Sequence, residues 1–182
     1  MATVNIVPMA DILNSPAWTL SAGTNVYSLL ATDDSGNPDS DGSKISCTAT
    51  GKVCVVGLTN EESYREAASI ESVQLYVKAC VRTRGQTYEI NGGLLDGTGS
   101  TLYIEVAGTS SSANWNLHEF TERTTSDGSA AWTAGDIDDL RIHIESRTLS
   151  GGTLLVTYAY VKVTYTPAVS VTYNAPFFGC NF

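Results

Sequence analysis

Two histidines, four cysteines and 19 carboxylates are the side chains of this 182-residue chain that could carry acid–base, nucleophilic or metal chemistry. His118 stands beside Glu119, with Glu122 close behind, and the three would suit a metal or a proton-transfer site if they converged. A strand turns neighbouring side chains to opposite faces, so Glu119 points away from His118 and the grouping does not assemble. His143 falls between Arg141 and Glu145 and reads as a solvated polar residue on the outward face of a strand. No HExxH, GxSxG, phosphate-loop or dinucleotide fingerprint occurs. A glycosidase acid pair would meet only in the fold, and no spacing singles one out. The sequence therefore names no catalytic residue and implies no cofactor.

Three other groupings carry binding chemistry, each beside a plainer reading. Asn37, Asp39 and Asp41 precede Gly42 as the oxygen ligands of a calcium loop would, but the twelfth position is Thr48 and not a bidentate glutamate. Pro38 fits an ordinary solvated turn there, and calcium is the lesser alternative. If Thr50-Gly51 closes a two-residue hairpin, Cys47 and Cys54 face each other at about 5.5 Å between Cα atoms, within reach of a disulfide. Two buried thiols are the other reading, favoured where no signal peptide is evident. Tyr76, Tyr158 and Tyr160 alternate outward, and Trp115 sits between Asn114 and Asn116. Exposed aromatics with amides and hydroxyls suit a sugar platform, with Trp115 and Tyr160 as its candidates, or a protein interface. Inverting inside and outside would instead bury them between two layers.

The elements that must position these groups are strands. In Val73-Gln74-Leu75-Tyr76-Val77-Lys78-Ala79-Cys80-Val81-Arg82 the apolar residues hold one face and the polar ones the other. Segments 102–106, 140–145 and 155–165 repeat the pattern, and weaker strands are predicted at 26–31, 44–49, 53–58, 86–91, 115–121 and 170–174. Turn residues separate them, among them Asp41-Gly42, Gly92-Gly93, Asp96-Gly97, Asp127-Gly128 and Gly151-Gly152. Short helices are predicted at 60–68, capped by Asn60, and at 133–140, where Thr133 and Asp136 form a capping box. About eight to ten strands with regular turns read as an all-β antiparallel β-sandwich, a jelly-roll, with short connecting helices.

Composition bounds the function. Charged residues make up 16% of the chain, Ser and Thr together number 41, and the net charge is −9. An acidic chain without a basic cluster repels phosphate, so nucleic acid is not the expected partner. No apolar run spans a membrane, and the N-terminus lacks the basic start and apolar stretch of a secretory signal. Pro16 and Pro167 bracket a body of 17–166, leaving an N-terminal arm of 1–16 and a C-terminal arm of 167–182. Three of the four phenylalanines, Phe177, Phe178 and Phe182, fall in the last six residues and must pack on something.

The order of four segments then suggests a family. The acidic turn entering Lys44-Ile45, the strand from Ser69 to Ala79, Trp132-Thr133-Ala134-Gly135-Asp136-Ile137-Asp138-Asp139-Leu140, and the closing strand Tyr158–Tyr165 resemble jelly-roll modules of tailed-phage virion proteins and some bacterial surface proteins. The resemblance covers about 37–165 and makes Trp132 and Leu140 framework residues. It implies a non-enzymatic viral structural protein of the virion, made in the host cytoplasm, a capsid decoration (cement) or tail accessory protein. The expected partners are the major capsid or tail protein of the same virus and a second and third copy of the chain in a homotrimer. The contacts would come from the arms: Ile6, Val7 and Ile12, with Phe177, Phe178 and Phe182. The alternative is a glycan-binding module of a tail fibre or surface protein.

Overall fold

The alternating segments pair into two antiparallel sheets in the computed structural model, which describes residues 1–14, 18–31, 42–83, 85–107 and 114–169. Six strands form one sheet: β1 (Ala2–Ile6), β3 (Thr19–Leu20), β4 (Ile45–Cys47), β6 (Ala67–Val81), β9 (Asn116–Glu119) and β11 (Leu154–Pro167). Their order is β3-β4-β11-β6-β9, with β4 along the first part of β11 and β1 along its second. The other sheet holds β2 (Pro8–Asn14), β5 (Lys52–Leu58), β7 (Tyr88–Leu95), β8 (Thr101–Val106) and β10 (Arg141–Leu149), in the order β2-β5-β10-β7-β8. The chain is thus the all-β antiparallel sandwich the alternation predicts, jelly-roll-like, with short helices.

The inward residues of each long strand make the core. Val73, Leu75 and Val77 of β6 and Ala159, Val161 and Val163 of β11 pack toward Cys54 and Val56 of β5, Ile90 of β7, and Ile142 and Ile144 of β10. Each Val, Ile or Leu so buried contributes about 1.5–3 kcal/mol. Trp132 and Leu140 are buried in the same cluster, and the Trp132 Nε1–H donates to the Arg123 carbonyl at 2.9 Å.

Four expectations are corrected. The segment 26–31 is not a strand but α1 (Val26–Leu30), whose buried Val26, Leu29 and Leu30 follow helical spacing. Its first N–H groups are satisfied from another element: the Asp11 carboxylate of β2 accepts from Val26 N at 2.9 Å and Tyr27 N at 2.7 Å. Gly92-Gly93 is no turn but lies inside β7. A Cβ on Gly92 would stand 2.1 Å from the Phe120 ring, and one on Gly93 would stand 2.6 Å from the Tyr103 carbonyl oxygen, so both places admit only hydrogen. The N-terminal arm is not an arm, since β1 pairs with β11 and β2 with β5, and Ile6, expected at an interface, is fully buried. Thr50-Gly51 does not close a hairpin within one sheet, because β4 and β5 belong to different sheets.

The two remaining helices are connectors. α2 (Glu62–Arg65) is shorter than predicted, and Glu61 rather than Asn60 stands at its N-cap. The Tyr64 hydroxyl accepts from Glu61 N at 3.3 Å and donates to Asp138 Oδ1 at 2.6 Å, tying α2 to α3 (Ala134–Asp138). At the start of α3, Asp136 N donates to Thr133 Oγ1 and Thr133 N to Asp136 Oδ2, the capping box read from the sequence. The predicted strand at 170–174, the phenylalanines Phe177, Phe178 and Phe182, and the calcium candidates Asn37, Asp39 and Asp41 lie outside the described residues.

Candidate functional site

The outer face of the six-stranded sheet gathers three outward-facing tyrosines, Tyr76, Tyr158 and Tyr160. Because β6 and β11 pair in a fixed register, Tyr76 stands directly opposite Tyr160. Their rings are stacked with centroids 4.7 Å apart and planes within 1°, and Tyr158 leans on Tyr160 at 5.1 Å. Cross-strand aromatic pairs of this kind are worth about 0.5–1.5 kcal/mol beyond their burial. Tyr76 is 6% exposed and firmly held. Its hydroxyl donates to Gln74 Oε1 at 2.6 Å and accepts from Lys162 Nζ at 2.9 Å, while Gln74 Nε2 donates to the Phe120 carbonyl. The Tyr76 hydroxyl raises the Lys162 ammonium above its ordinary pKa, with Glu122 and Glu119 adding to the effect.

Across this face runs an open groove of about 370 Å³, lined by Asn5 of β1, Tyr158 and Tyr160 of β11, Lys78 of β6 and Leu117 of β9. It crosses four neighbouring strands, with Leu117, 46% exposed, at one end. Ring faces with negative quadrupoles attract the polarised C–H groups of a flat ligand, and the amide and ammonium groups offer hydrogen bonds to hydroxyls. The strands fix the rings before anything binds, so little side-chain entropy remains to be lost.

Of the two platform candidates, Tyr160 stands at the centre of this face. Trp115, half-buried, precedes β9 by one residue. It lies two strands across and four residues along from Tyr160, roughly 16 Å away by strand spacing, and the two do not form one clamp. Tyr76 and Tyr158 do face outward as alternation predicts. Asn5, Lys78 and Leu117 were not singled out, although the alternation of β6 already places Lys78 beside Tyr76.

The histidines serve the scaffold. His118 is opposite Val77 and faces inward, whereas Glu119 is opposite Tyr76 and faces out, so the two diverge as expected. The Tyr88 hydroxyl donates to the Ala79 carbonyl, so His118 Nε2–H is the donor in its 2.7 Å bond to that hydroxyl, joining β9 to β7 across the sandwich. Burial lowers the His118 pKa. His143 is not solvated as predicted. Its side chain is 12% exposed on the outer face of the five-stranded sheet, and among the described residues Nε2 has no hydrogen-bond partner, with the Glu145 carboxylate at 3.8 Å. Its neighbours across the sheet are Val55 and the side-chain-free Gly93, which bring no polar group to it. Burial lowers its pKa, and Glu145 works against that shift.

Cys47 and Cys54 are buried free thiols, as is Cys80, and burial, Asp11 and Cys47 together raise the pKa of Cys54. A cleft of about 540 Å³ at one end of the sandwich is lined by Asp96, Asp127, Asp136 and Asp139. Three of these carboxylates are occupied in turns. Asp96 accepts from Thr98 and Ser100, Asp127 from Ser129 and Ala130, and Asp136 from Thr133. The same bonds lower the pKa values of Asp96 and Asp127. Among the described residues no three His, Cys, Asp or Glu side chains converge as a metal site. Of the expected interface residues, Val7 is half-buried and Ile12 is exposed.

No protein-family model and no curated protein sequence matches the chain. Solved structures do. The CBM36-1 domain of a multidomain xylanase from the hindgut metagenome of Trinervitermes trinervoides matches over 92% of this chain and 100% of its own, at 8% identity and a TM-score of 0.45. The C-terminal CBM6 of LamC, a marine laminarinase from Zobellia galactanivorans, matches over 90% of this chain and 99% of its own, at 12% identity and a TM-score of 0.42. The arabinose-bound α-L-arabinofuranosidase MgGH51 matches over 87% of this chain and 26% of its own, at 12% identity and a TM-score of 0.44. These are carbohydrate-binding modules and a glycosidase, and they correct the expected likeness to tailed-phage virion modules. The capsid decoration or tail accessory role is withdrawn.

Proposed function

We propose that the chain is a glycan-binding module that acts by binding and carries out no catalysis itself. The observation that carries this reading is the groove lined by Tyr158 and Tyr160, its Tyr160 ring stacked from below the surface on the buried Tyr76, and edged by an amide, an ammonium and an exposed leucine. Sugar rings present C–H groups to aromatic faces and hydroxyls to polar groups, and this groove offers both at fixed positions. The test is a broad glycan array followed by titration calorimetry on any hit. Tyr160→Ala should weaken binding at least tenfold, while Trp115→Ala should have the smaller effect, since Trp115 lies roughly 16 Å from Tyr160, beyond the Leu117 end of the groove. An empty array, or hits that survive Tyr160→Ala, would sink the proposal.

A further inference from the structure

Of the five residues that line the groove, one has polar chemistry that the protein does not itself use. Leu117 has none to offer, and Lys78, Tyr158 and Tyr160 each have a partner within the chain. Lys162, the second cation of this face, donates to the Tyr76 hydroxyl and lies 5.2 Å from its ring centroid. Asn5 remains. It is exposed, and among the described residues its amide enters none of the side-chain bonds that hold this face, neither those joining Gln74, Tyr76 and Lys162 nor the one from Ser72 to Glu122. The pairing of β1 with β11 fixes its place. Asn5 stands opposite Lys162, so Tyr160 is its diagonal neighbour on the same face, about 7–8 Å away between Cα atoms.

An idle amide beside aromatic rings selects a ligand class. An amide carries an acceptor and two donors in one plane, so Oδ1 and Nδ2 together match two neighbouring groups of which one donates and one accepts. Two hydroxyls on adjacent ring carbons present such a pair, at the edge of a sugar whose C–H face can lie on Tyr158 and Tyr160. Equatorial hydroxyls on alternate carbons stand too far apart to meet both amide atoms at hydrogen-bond length. Charge narrows the class further. Both ammonium groups of this face are engaged within the protein, Glu119 stands opposite Tyr76 on it, and the whole chain carries a net charge of −9. An anionic sugar would lose water from its carboxylate here and find no idle cation to replace it.

We propose that the groove takes a neutral glycan by two free hydroxyls on adjacent carbons of one sugar, one donating to Asn5 Oδ1 and the other accepting from Asn5 Nδ2, while the C–H face of that sugar stacks on Tyr158 and Tyr160. This rests on the glycan-binding role proposed above. The test is titration calorimetry of the full chain with five pentamers. The β-1,4-linked xylo-, cello- and manno-pentamers keep two adjacent ring hydroxyls free on every inner sugar. Laminaripentaose, β-1,3-linked, keeps no two on adjacent carbons of its inner sugars, and pentagalacturonate adds a carboxylate to every ring. At least one neutral 1,4-linked pentamer should bind about tenfold tighter than laminaripentaose, and pentagalacturonate should bind more weakly than that pentamer. Asn5→Leu and Asn5→Ala, each with unchanged thermal melting, should bring that pentamer to the laminaripentaose affinity and leave laminaripentaose unaltered. Tyr160→Ala should weaken every member. Equal affinity for laminaripentaose and the tightest 1,4-linked pentamer, or a preference that survives both Asn5 variants, would overturn the adjacent-hydroxyl contact and leave the platform standing. Tightest binding by pentagalacturonate would overturn the choice of a neutral ligand. Absence of binding by all five would overturn this inference, whereas only an empty glycan array would remove the platform as well.

Discussion

On the outer face of the six-stranded sheet, strand alternation displays Tyr158, Tyr160, Lys78 and Lys162, while the outer face of the five-stranded sheet carries Ile12, Leu13, Ile104 and Val106, each between 41 and 53% exposed. Both faces follow the period-two rule apart from the β2 irregularity that exposes Ile12 and Leu13 together, and their inner sides share one core. They differ in what sits at the centre. In the six-stranded sheet the paired strands β6 and β11 set two aromatic rings against each other, the buried Tyr76 backing Tyr160, which lines a groove. In the five-stranded sheet the central position opposite His143 is Gly93, whose missing side chain lets the Tyr103 carbonyl and Ile104 close in. One face presents rings and the other closes over a histidine. The backbone pattern alone does not distinguish a grooved aromatic face from a closed one; the residue opposite each central side chain does.

The largest expected effect lies where the two sheets meet. Phe120, just past β9 of the six-stranded sheet, lays its ring on Gly92 of β7, where a Cβ would stand 2.1 Å from Cζ. The ring cannot retreat without disturbing the core, so Gly92→Ala should cost about 3 kcal/mol in urea unfolding, at the upper end for overpacking. A loss below 1 kcal/mol would mean that the sheets are not locked at this point. Next comes the display face. Tyr160→Ala should cost only about 1 kcal/mol of stability, because its ring is only partly buried, yet abolish most glycan binding. The separation of those two readouts is the signature of a platform, and a stability loss as large as that of Gly92→Ala would place Tyr160 in the core instead. A smaller effect is expected at the Asp11 cap. Asp11→Ala removes the acceptor for both Val26 N and Tyr27 N and should cost about 1–2 kcal/mol, without altering glycan affinity.

The sequence was most legible where one strand could be read alone. The period of β6 and β11 set both their burial and the outward direction of Tyr76, Tyr158 and Tyr160. It was least legible where a second element decides. Segment 26–31 is apolar enough for a strand, and only Asp11, fifteen residues earlier at the nearer contact, supplies the cap that makes it a helix. Gly92-Gly93 has the composition of a turn, and only Phe120 and Tyr103 show why glycine stands inside a strand. Cys47 and Cys54 have hairpin spacing, but their strands join opposite sheets. The N-terminal segment was misread for the same reason, since short edge strands such as β1 and β2 carry little pattern of their own. The groove was half legible. Alternation placed Lys78 beside Tyr76, whereas Asn5 joins only through the pairing of β1 with β11.

The mildest test concerns the closed face. His143 is buried with Nε2 unpaired, and its folded pKa lies below the ordinary 6.5, as does that of His118. A group whose folded pKa is depressed binds protons more readily when unfolded, so stability falls as pH drops through 6.5 and goes on falling until the folded pKa is passed. Wild-type melting temperature should therefore decline from pH 7.5 toward pH 5, before the carboxylates held low by hydrogen bonds, such as Asp96 and Asp127, begin to protonate. His143→Leu should gain up to about 1 kcal/mol at pH 7, because an unpaired buried nitrogen is replaced by an apolar group. It should also flatten part of the decline, leaving the share due to His118 and its bond to Tyr88. The aromatic groove should not notice, since His143 lies on the opposite sheet. If His143→Leu destabilises the protein at pH 7, or leaves the acid slope unchanged, then His143 is solvated after all and the two faces differ less than their side chains suggest.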